Sequence, residues 1–293
     1  MNLFIQPGQS IQQLINQYPI DETIDLYLEP GVYHEKLRIY HHHLHLHGST
    51  SGQSIISYGD YAYKMHEDGL LYNTFRTYTM MILGDDVTLD HLVIENTCGS
   101  GFTIGQGVAL SLCGKRTTLN HCTLRAHQDT LFIGPLPVDL NERYDHFLPL
   151  EERSSSITHH HFKDCTIMGD VDFIFGSGIA LFESCTVIAL SKGYISAPST
   201  YASFPYGFIF FRSMIISRAN DVYLGRPWRD HGATHFIDCE FQGSFHEKRY
   251  DAWDKTHYRF FESPYVPSAL SKPLSKEERE QLQAYLHAEW NCS

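Results

Sequence analysis

A short motif recurs along this chain: a polar residue, a cysteine, a second polar residue and an apolar residue. Its clear copies are Asn120-His121-Cys122-Thr123-Leu124, Lys163-Asp164-Cys165-Thr166-Ile167, Glu183-Ser184-Cys185-Thr186-Val187 and Ile237-Asp238-Cys239-Glu240-Phe241. Arg212-Ser213-Met214-Ile215-Ile216 is a degenerate copy, with Met214 in the place of the cysteine. Repeats about 20–30 residues apart, joined by short strands, predict the stacked coils of a β-solenoid. We interpret the cysteines as small apolar turn residues and not as metal ligands, which would have to converge on one point.

The rest of the chain fits one all-β domain over residues 1–293, with short strands broken by turns from Ile24 onward. Ser10 to Tyr18 predicts a short amphipathic helix that caps the open end of the solenoid, with Ser10 as N-cap. Ser275 to Trp290 predicts a second helix. Residues 135–156 hold three prolines and many charges, so we expect a long loop there. Residues 254–293 read as a C-terminal extension.

Charge and composition restrict the partners. The net charge is −12 and no long Lys/Arg cluster occurs, so we expect no nucleic-acid partner. No apolar stretch approaches the length of a membrane span. The N-terminus lacks a basic region followed by an apolar one, which predicts a cytoplasmic protein, or a secreted one if the chain was trimmed. The seven cysteines, an odd number, fit reduced thiols.

Carboxylates occur inside an apolar, strand-like run, Gly169-Asp170-Val171-Asp172-Phe173-Ile174-Phe175-Gly176. Strand alternation would place Val171, Phe173 and Phe175 on one face and the two aspartates on the other. The run alone leaves two readings open: a rigid wall that carries acid chemistry, or a half-buried strand with solvated acids.

Further motifs distinguish these readings. They are His127-Gln128-Asp129-Thr130-Leu131-Phe132, Tyr223-Leu224-Gly225-Arg226-Pro227-Trp228-Arg229, Gly31-Val32-Tyr33-His34-Glu35, Gly105-Gln106-Gly107-Val108-Ala109-Leu110 and Gly193-Tyr194-Ile195-Ser196-Ala197-Pro198-Ser199. Together with the acid-bearing run they resemble, in order, the signature motifs of the pectin methylesterase family. The resemblance extends from about Ile11 to about Trp253.

The resemblance implies a single-stranded, right-handed parallel β-helix with a substrate cleft on one outer face. It implies that Asp172 is the nucleophile and that Asp129 is the general acid and later the base. Arg226 would hold the nucleophile, and Gln106 and Gln128 would hydrogen-bond the oxyanion. The substrate would be methylated galacturonan (pectin) or its oligomers, with no cofactor and no metal.

The resemblance also implies contacts to the sugar. Trp228 would line the sugar-binding cleft, and Phe173 and Trp253 are further candidates for substrate binding. Two positions depart from the usual pattern of the family. Ser111 stands where many members carry arginine, and Asp170 stands where threonine is common. Asp170 would add a like charge on the nucleophile's face and raise the pKa of Asp172.

Physical chemistry supports this division of roles. A carboxylate nucleophile must be ionised and aimed, and a nearby guanidinium does both. The second carboxyl group must begin protonated, and two neighbouring acids with separated pKa values meet both needs. No Gly-x-Ser-x-Gly element is present, so a hydrolase here needs a nucleophile other than serine. Because alternation would put Gln128 and Asp129 on opposite faces, we expect a bend or a strand end there.

The run His41-His42-His43-Leu44-His45-Leu46-His47 suggests metal binding. Alternation would place His41, His43, His45 and His47 on one face, where a metal would bind adventitiously. The preferred interpretation is the polar outer face of a strand, and the sequence predicts no metal site.

Alternatives to an esterase remain open at this point. They are a non-catalytic carbohydrate-binding β-helix, a family member that acts on another ester, and a β-helix pectate lyase or polygalacturonase. The lyases rely on Ca²⁺ and a basic residue, and the hydrolases on clustered carboxylates with a Gly-His-Gly-like element. Neither arrangement is found in the sequence.

Overall fold

A computed structural model of the protein describes residues 1–153, 156–267 and 270–292. Ser154 and Ser155 of the predicted loop lie outside the described residues, as do Ser268, Ala269 and Ser293 of the predicted C-terminal extension. No helix within the described ranges is long and apolar enough to cross a membrane.

Short strands dominate the described chain. In chain order they are β1 Asn2–Ile5, β2 Ile24–Leu28, β3 Gly31–His34, β4 Leu37–Ile39, β5 Leu44–His47, β6 Ser54–Tyr58, β7 Met80–Ile82, β8 Val87–Asp90, β9 Leu92–Asn96, β10 Leu110–Leu112, β11 Arg116–Asn120, β12 Thr123–Arg125, β13 Leu131–Ile133, β14 His159–Lys163, β15 Thr166–Gly169, β16 Ile174–Gly176, β17 Ile179–Glu183, β18 Thr186–Ala189, β19 Tyr194–Pro198, β20 Phe208–Phe211, β21 Met214–Ser217, β22 Tyr223–Gly225, β23 Ala233–Ile237, β24 Glu240–Gln242, β25 Arg259–Ser263 and β26 Lys272–Pro273. The α-helices are α1 Ile11–Ile15, α2 Gly101–Ile104, α3 Val138–Arg143 and α4 Lys276–Trp290, and 3₁₀ turns cover Thr74–Arg76 and Leu150–Arg153.

The strands form three parallel sheets that run along the molecule. Sheet 1 contains β1, β2, β5, β8, β11, β14, β17, β20, β23, β25 and β26; sheet 2 contains β3, β6, β9, β12, β15, β18, β21 and β24; sheet 3 contains β4, β7, β10, β13, β16, β19 and β22. From β2 to β22 the chain visits the three sheets in turn, so each coil adds one strand to each sheet. The predicted fold class, a parallel β-helix, is confirmed.

Like side chains stack on like inside the coils, because parallel register aligns them. The rings of Phe162, Phe182, Phe210 and Phe236 follow one another in register on sheet 1. Their centroids are 4.6, 4.6 and 4.5 Å apart in that order. All four rings lie in the central apolar core.

The cysteine motif marks the corner between sheets 1 and 2. The residue before each cysteine of the motif has a left-handed backbone, with φ of 52° at His121, 53° at Asp164, 53° at Ser184 and 52° at Asp238. Arg212, which precedes Ser213, has a φ of 49°. Polar residues tolerate that conformation better than branched apolar ones do, which explains why a polar residue comes first. Each cysteine then turns inward, and Cys185 Sγ donates to the Phe162 carbonyl of the preceding coil at 3.3 Å. All seven cysteines are free thiols.

One member of this ladder was assigned wrongly from the sequence. Met214 pairs with Thr186, so Ser213 and not Met214 stands in line with the cysteines. The Ser213 hydroxyl donates to the Phe182 carbonyl at 2.8 Å, as the thiols do at the other corners. The physical requirement at this position is a small side chain with a weak donor, and serine meets it.

Both predicted helices are present. Ser10 caps α1 by accepting from Gln13 N, and Ile11 and Ile15 are buried in the core. Ser275 and Glu278 form a capping box at the start of α4. Leu282 and Leu286 of α4 pack on the outer face of sheet 1. The outward-facing side chains of the strands are apolar there, and they include Leu181 and Ile209.

The predicted loop 135–156 carries local structure. It contains α3 and the 3₁₀ turn at Leu150–Arg153. Leu140 and Leu148 pack against Phe132 and Phe175 on the outer face of sheet 3. The segment therefore builds a wall on the outside of that sheet.

Phe210→Ala should destabilise the protein by about 3–5 kcal/mol, because it leaves a cavity between two stacked rings. The midpoint of urea unfolding measures the effect. Phe102→Ala is the matched control, since the Phe102 side chain is 96% exposed. We expect the control to lie within about 0.5 kcal/mol of wild type. Equal midpoints for the two variants would contradict a core held by this stack.

Candidate active site

Two aspartates stand in the same register at the corner where the chain enters sheet 3. Asp129 and Asp172 each lie two residues before a sheet-3 strand, and Leu131 pairs with Ile174. The backbone N–H of Asp129 donates to the Val171 carbonyl at 3.1 Å. Parallel stacking of two coils therefore brings distant carboxyl groups together.

Both aspartates occupy left-handed backbone positions, with φ of 65° at Asp129 and 50° at Asp172. The bend expected at Gln128 and Asp129 is thus present. The run from Gly169 to Gly176 is not one strand: β15 ends at Gly169 and β16 begins at Ile174. Strict alternation across it was wrong, because a turn separates the two strands.

Arg226 holds Asp172 with a two-pronged ion pair. Nε donates to Oδ1 at 2.9 Å and Nη2 donates to Oδ2 at 2.6 Å. The guanidinium lies between two aromatic rings, 4.0 Å from the centroid of Tyr194 and 3.9 Å from that of Trp253. Tyr194 in turn donates its hydroxyl to Asp251 Oδ2 at 3.1 Å. The aromatic rings hold the guanidinium in place, and its two parallel hydrogen bonds fix the orientation of the Asp172 carboxylate.

A cleft of about 490 Å³ opens over these groups. It is lined by Thr74, Phe75, Gln106, Gln128, Asp129, Leu140, Arg143, Tyr144, Asp172, Phe175, Ala197, Arg226, Trp228, Arg229 and Trp253. The structure thus brings together all of the site residues predicted from the sequence except Phe173.

The prediction that Phe173 binds the substrate is wrong. Its side chain is 0% exposed and belongs to the central core of the coils. The left-handed turn at Asp172 directs Phe173 inward, and Phe175, on the outer face of β16, lines the cleft instead. The ring of Trp228 packs edge-on against Phe175 at 5.8 Å.

The environments of the two carboxyl groups differ in one respect. Burial raises the pKa of Asp129 well above its usual value, and the charge of Asp172 raises it further, while Arg226 opposes the rise. Burial also raises the pKa of Asp172, but the hydrogen bonds and the charge of Arg226 oppose that rise directly. Asp172 is therefore the group that ionises first, and Asp129 keeps its proton to higher pH.

Asp170 does not face Asp172 as the sequence analysis expected. Its Oδ2 lies 3.0 Å from His127 Nδ1, and its Oδ1 accepts from the Val171 N–H at 2.9 Å. Burial and Arg226 account for the pKa of Asp172, whereas Asp170 contributes to raising the pKa of Asp129. The extra charge thus acts on the other carboxyl group.

The two glutamines face the same cavity. The backbone carbonyl of Gln128 accepts from Gly107 N at 3.1 Å, which ties its coil to the coil that carries Gln106. Within the described part of the chain, no hydrogen bond engages either side-chain amide. Both amides are therefore available to donate to a ligand oxygen in the cleft.

Several residues that line the cleft or hold Arg226 were not predicted from the sequence. Tyr194 lies in a quoted motif, but nothing in the sequence indicated that its ring would stack on a guanidinium. Phe75 lies in a 3₁₀ turn within a stretch without strand periodicity. Leu140, Arg143 and Tyr144 come from the predicted loop, where no local pattern points toward the cleft.

The arrangement suits acyl transfer to a carboxylate. It offers an ionised carboxylate fixed by a guanidinium, a second carboxyl group that retains its proton, and two amide donors. Among the residues that the structure describes, no group of three potential metal ligands lies in the cleft.

Comparisons with known proteins agree with this fold. The model of the pectinesterase family matches residues 8–135 and 155–260. Pectinesterase 31 of Arabidopsis thaliana is 27% identical over 237 residues, which cover 76% of this chain and 66% of the relative. The chain spans less than two thirds of that relative, and 57%, 29% and 38% of three further curated relatives.

Solved structures are similar over almost the whole chain. Pectin methylesterase from Yersinia enterocolitica has a TM-score of 0.77 at 24% identity, covering 97% of this chain and 99% of its own. A pectin methylesterase solved in complex with a hexasaccharide has a TM-score of 0.75 at 23% identity, covering 96% and 93%. These likenesses show the fold.

Arg226→Gln should raise the pKa of Asp172 further, because burial then acts without the opposing guanidinium. Titration of the aspartate carboxyl carbons by ¹³C NMR measures the shift, with Asp172→Asn to assign the signal. Arg116→Gln is the control: Arg116 lies outside the cleft and lowers the pKa of Asp86, so there the signal of Asp86 should move and that of Asp172 should not. An unchanged Asp172 titration in Arg226→Gln would show that the ion pair does not tune this group.

Proposed function

The chain belongs to the pectinesterase family, and from that membership and the geometry of its cleft we propose that it is a carboxylic ester hydrolase that removes methyl esters from methylated galacturonan or its oligomers. One observation carries the proposal: of the two carboxyl groups in one cleft, Asp172 is held by a guanidinium and Asp129 is not. The net charge of −12 supports a substrate whose carboxyl groups are esterified, or a short oligomer.

In the first half of the reaction, the Asp172 carboxylate attacks the carbonyl carbon of the ester. The carbonyl oxygen becomes an oxyanion, which accepts hydrogen bonds from the amides of Gln106 and Gln128. One such donor is worth about 2.7–4 kcal/mol. The intermediate collapses as the C–O bond to the methoxy group breaks, and Asp129 donates its proton so that methanol leaves. An anhydride between the substrate carboxyl group and Asp172 remains.

In the second half, Asp129 is ionised and acts as the base. It takes a proton from a water molecule, whose oxygen attacks the substrate carbonyl carbon of the anhydride. The bond to Asp172 breaks, which releases the uronic acid and restores the Asp172 carboxylate. Asp129 again holds a proton, as microscopic reversibility requires.

Aromatic residues around the acids support binding of a sugar chain. Trp228 and Trp253 line the cleft beside Arg226, and Phe75 and Phe175 form its apolar floor. A relative with this fold has been solved with a hexasaccharide, which supports an oligosaccharide as the ligand of this cleft. The aromatic faces provide surfaces for the C–H faces of sugar rings.

The alternatives predict different products. A lyase or a polygalacturonase would shorten the chain, whereas an esterase releases methanol and leaves the chain length unchanged. A non-catalytic binding protein would bind the oligomer and release nothing. Methanol release, chain length and binding, measured on one methylated oligogalacturonate, separate the three.

Asp172→Asn should lower kcat for methanol release by about 10⁴-fold or more, because an amide is a poor nucleophile. The variant should keep the unfolding midpoint of the wild type and still bind methylated oligogalacturonate by calorimetry. Asp221→Asn, an exposed acid paired with Lys192, is the control and should keep full activity. An Asp172→Asn enzyme as active as wild type would overturn the assignment of the nucleophile.

Asp170→Asn should move the basic limb of the pH profile of kcat/KM to lower pH. Asp170 raises the pKa of Asp129, so removing its charge favours the ionised form of Asp129, and the required proton is lost earlier as pH rises. The acidic limb, set by Asp172, should stay in place. Asp145→Asn removes the same charge from an exposed position and should move neither limb. A shift confined to the acidic limb would show that Asp170 acts on Asp172 after all.

A further inference from the structure

We propose that Asp25, His45 and His47 form a binding site for a divalent transition-metal ion on the outer face of sheet 1. The site lies on the first coils of the β-helix and shares no residue with the cleft. It rests on no catalytic role, and its test does not use enzymatic activity.

Strand register brings the three side chains together. Asp25 of β2 pairs directly with His45 of β5, and His47 follows two residues along the same strand. The alternate residues Leu44 and Leu46 are buried in the core, so His45 and His47 both face outward.

Strand alternation was expected to place His41, His43, His45 and His47 on one face, and it does so only for His45 and His47. β5 begins at Leu44, and His43 before it has a left-handed φ of 54°. His41 is buried, and its Nε2 lies 3.1 Å from the Tyr18 carbonyl. The potential ligands are therefore two histidines and the aspartate across from them, and not a row of four.

The distances match the ligand shell of one small cation. His47 Nε2 lies 3.1 Å from Asp25 Oδ1, and His45 Nδ1 lies 3.7 Å from the same oxygen. All three ligand atoms are within 4.8 Å of one another. Zinc bonds of about 2.0–2.2 Å in a tetrahedron place neighbouring ligand atoms roughly 3.3–3.6 Å apart. Small side-chain adjustments would bring all three into bonding distance of one ion.

His45 has unused bonding capacity. Its Nδ1, the nitrogen that faces Asp25, lies 3.7 Å from Oδ1, which is too far for a hydrogen bond. A neutral imidazole that is protonated on Nε2 carries its lone pair on Nδ1. A bound cation would use that lone pair.

Neighbouring rings hold His47 in position. Its ring stacks on that of Tyr27, with the centroids 4.3 Å apart and an angle of 6° between the ring planes. The ring of Tyr27 stacks in turn on that of Phe4, with the centroids 5.1 Å apart. The ring of His45 lies 3.5 Å from that of His47. Such packing orients a ligand before the ion arrives, as outer-shell contacts do in metal sites.

A simple histidine–carboxylate pair does not account for this cluster. On the same sheet His161 Nε2 and Glu183 Oε2 form such a pair at 2.9 Å, and among the described residues this pair belongs to no group of three potential ligands. At Asp25 two imidazoles converge on one carboxylate oxygen. Two nitrogens and one oxygen favour Zn²⁺, Co²⁺, Ni²⁺ or Cu²⁺ over Ca²⁺ and Mg²⁺, which prefer oxygen alone.

The three ligands are half-exposed, so water is available for the fourth position. An ion bound here would link β2 to β5 and would stabilise the folded protein over the unfolded chain. The net charge of −12 favours cation binding in general. A test must therefore separate this site from background binding by the other histidines.

The experiment is calorimetric titration of the metal-free protein with ZnCl₂ in a buffer that does not bind zinc. The variants are His45→Gln, His47→Gln and Asp25→Asn. His34→Gln is the matched control, because His34 is an exposed strand histidine outside the cluster. We expect one tight site per chain in wild type and in the control. Each cluster variant should bind at least about 100-fold more weakly, beyond the 10–100-fold that loss of an outer-shell partner costs.

Two further readouts protect the test against misfolding and background. The Tm of each variant in EDTA should equal that of the wild type in EDTA, and zinc should raise Tm only in wild type and His34→Gln. Co²⁺ should produce the intense visible bands of a tetrahedral site in those two proteins alone. Wild type without a stoichiometric site, or cluster variants that bind as wild type does, would overturn the proposal.

Discussion

The register between successive coils sets the distance between the two carboxyl groups on which the chemistry depends. Asp129 and Asp172 are far apart in sequence, so tertiary structure must bring their carboxyl groups together. Backbone pairing of Leu131 with Ile174 places them one above the other at the same corner. The core stacks of phenylalanine hold that register, since a slip of one residue would turn every inward ring outward. Packing of the core therefore also fixes the geometry of the active site, because both depend on the register between successive coils.

Within that frame, a single guanidinium makes two similar acids different. Burial raises the pKa of both carboxyl groups. Of the two aspartates, Asp172 is the one that accepts hydrogen bonds from Arg226, so the opposing effect falls mainly on its carboxyl group. The negative charge of Asp172 then helps to keep Asp129 protonated. The rings of Tyr194 and Trp253 hold the arginine, so aromatic packing keeps in place the charge that separates the two pKa values.

The sequence predicted what local patterns encode. The cysteine ladder, the helix after Ser275 and the acid-bearing motifs each rest on spacing or on a cap, and the structure contains all three. The errors fall where the backbone leaves the strand conformation. Alternation placed Phe173 and Phe175 on one face, and it could not show that after the left-handed turn at Asp172 the first ring enters the core and the second lines the cleft. The spacing of the cysteine motif could not show that Ser213, one residue from Met214, completes the ladder. Phe75 and Leu140 reach the cleft through tertiary packing alone.

The cleft is built from residues that the family model matches and from residues that it does not match. The pectinesterase family model matches the coils that carry both aspartates, the glutamines and Arg226, and it passes over residues 136–154. That segment supplies Leu140, Arg143 and Tyr144 to the opposite wall. Arg229 fastens the segment, because its guanidinium binds both oxygens of Asp139 in α3 at 2.8 and 2.7 Å. The stretch after β22 therefore binds Asp172 through Arg226 and binds α3 through Arg229. One short backbone segment thus fixes both the orientation of the Asp172 carboxylate and the position of the cleft wall that residues 136–154 form.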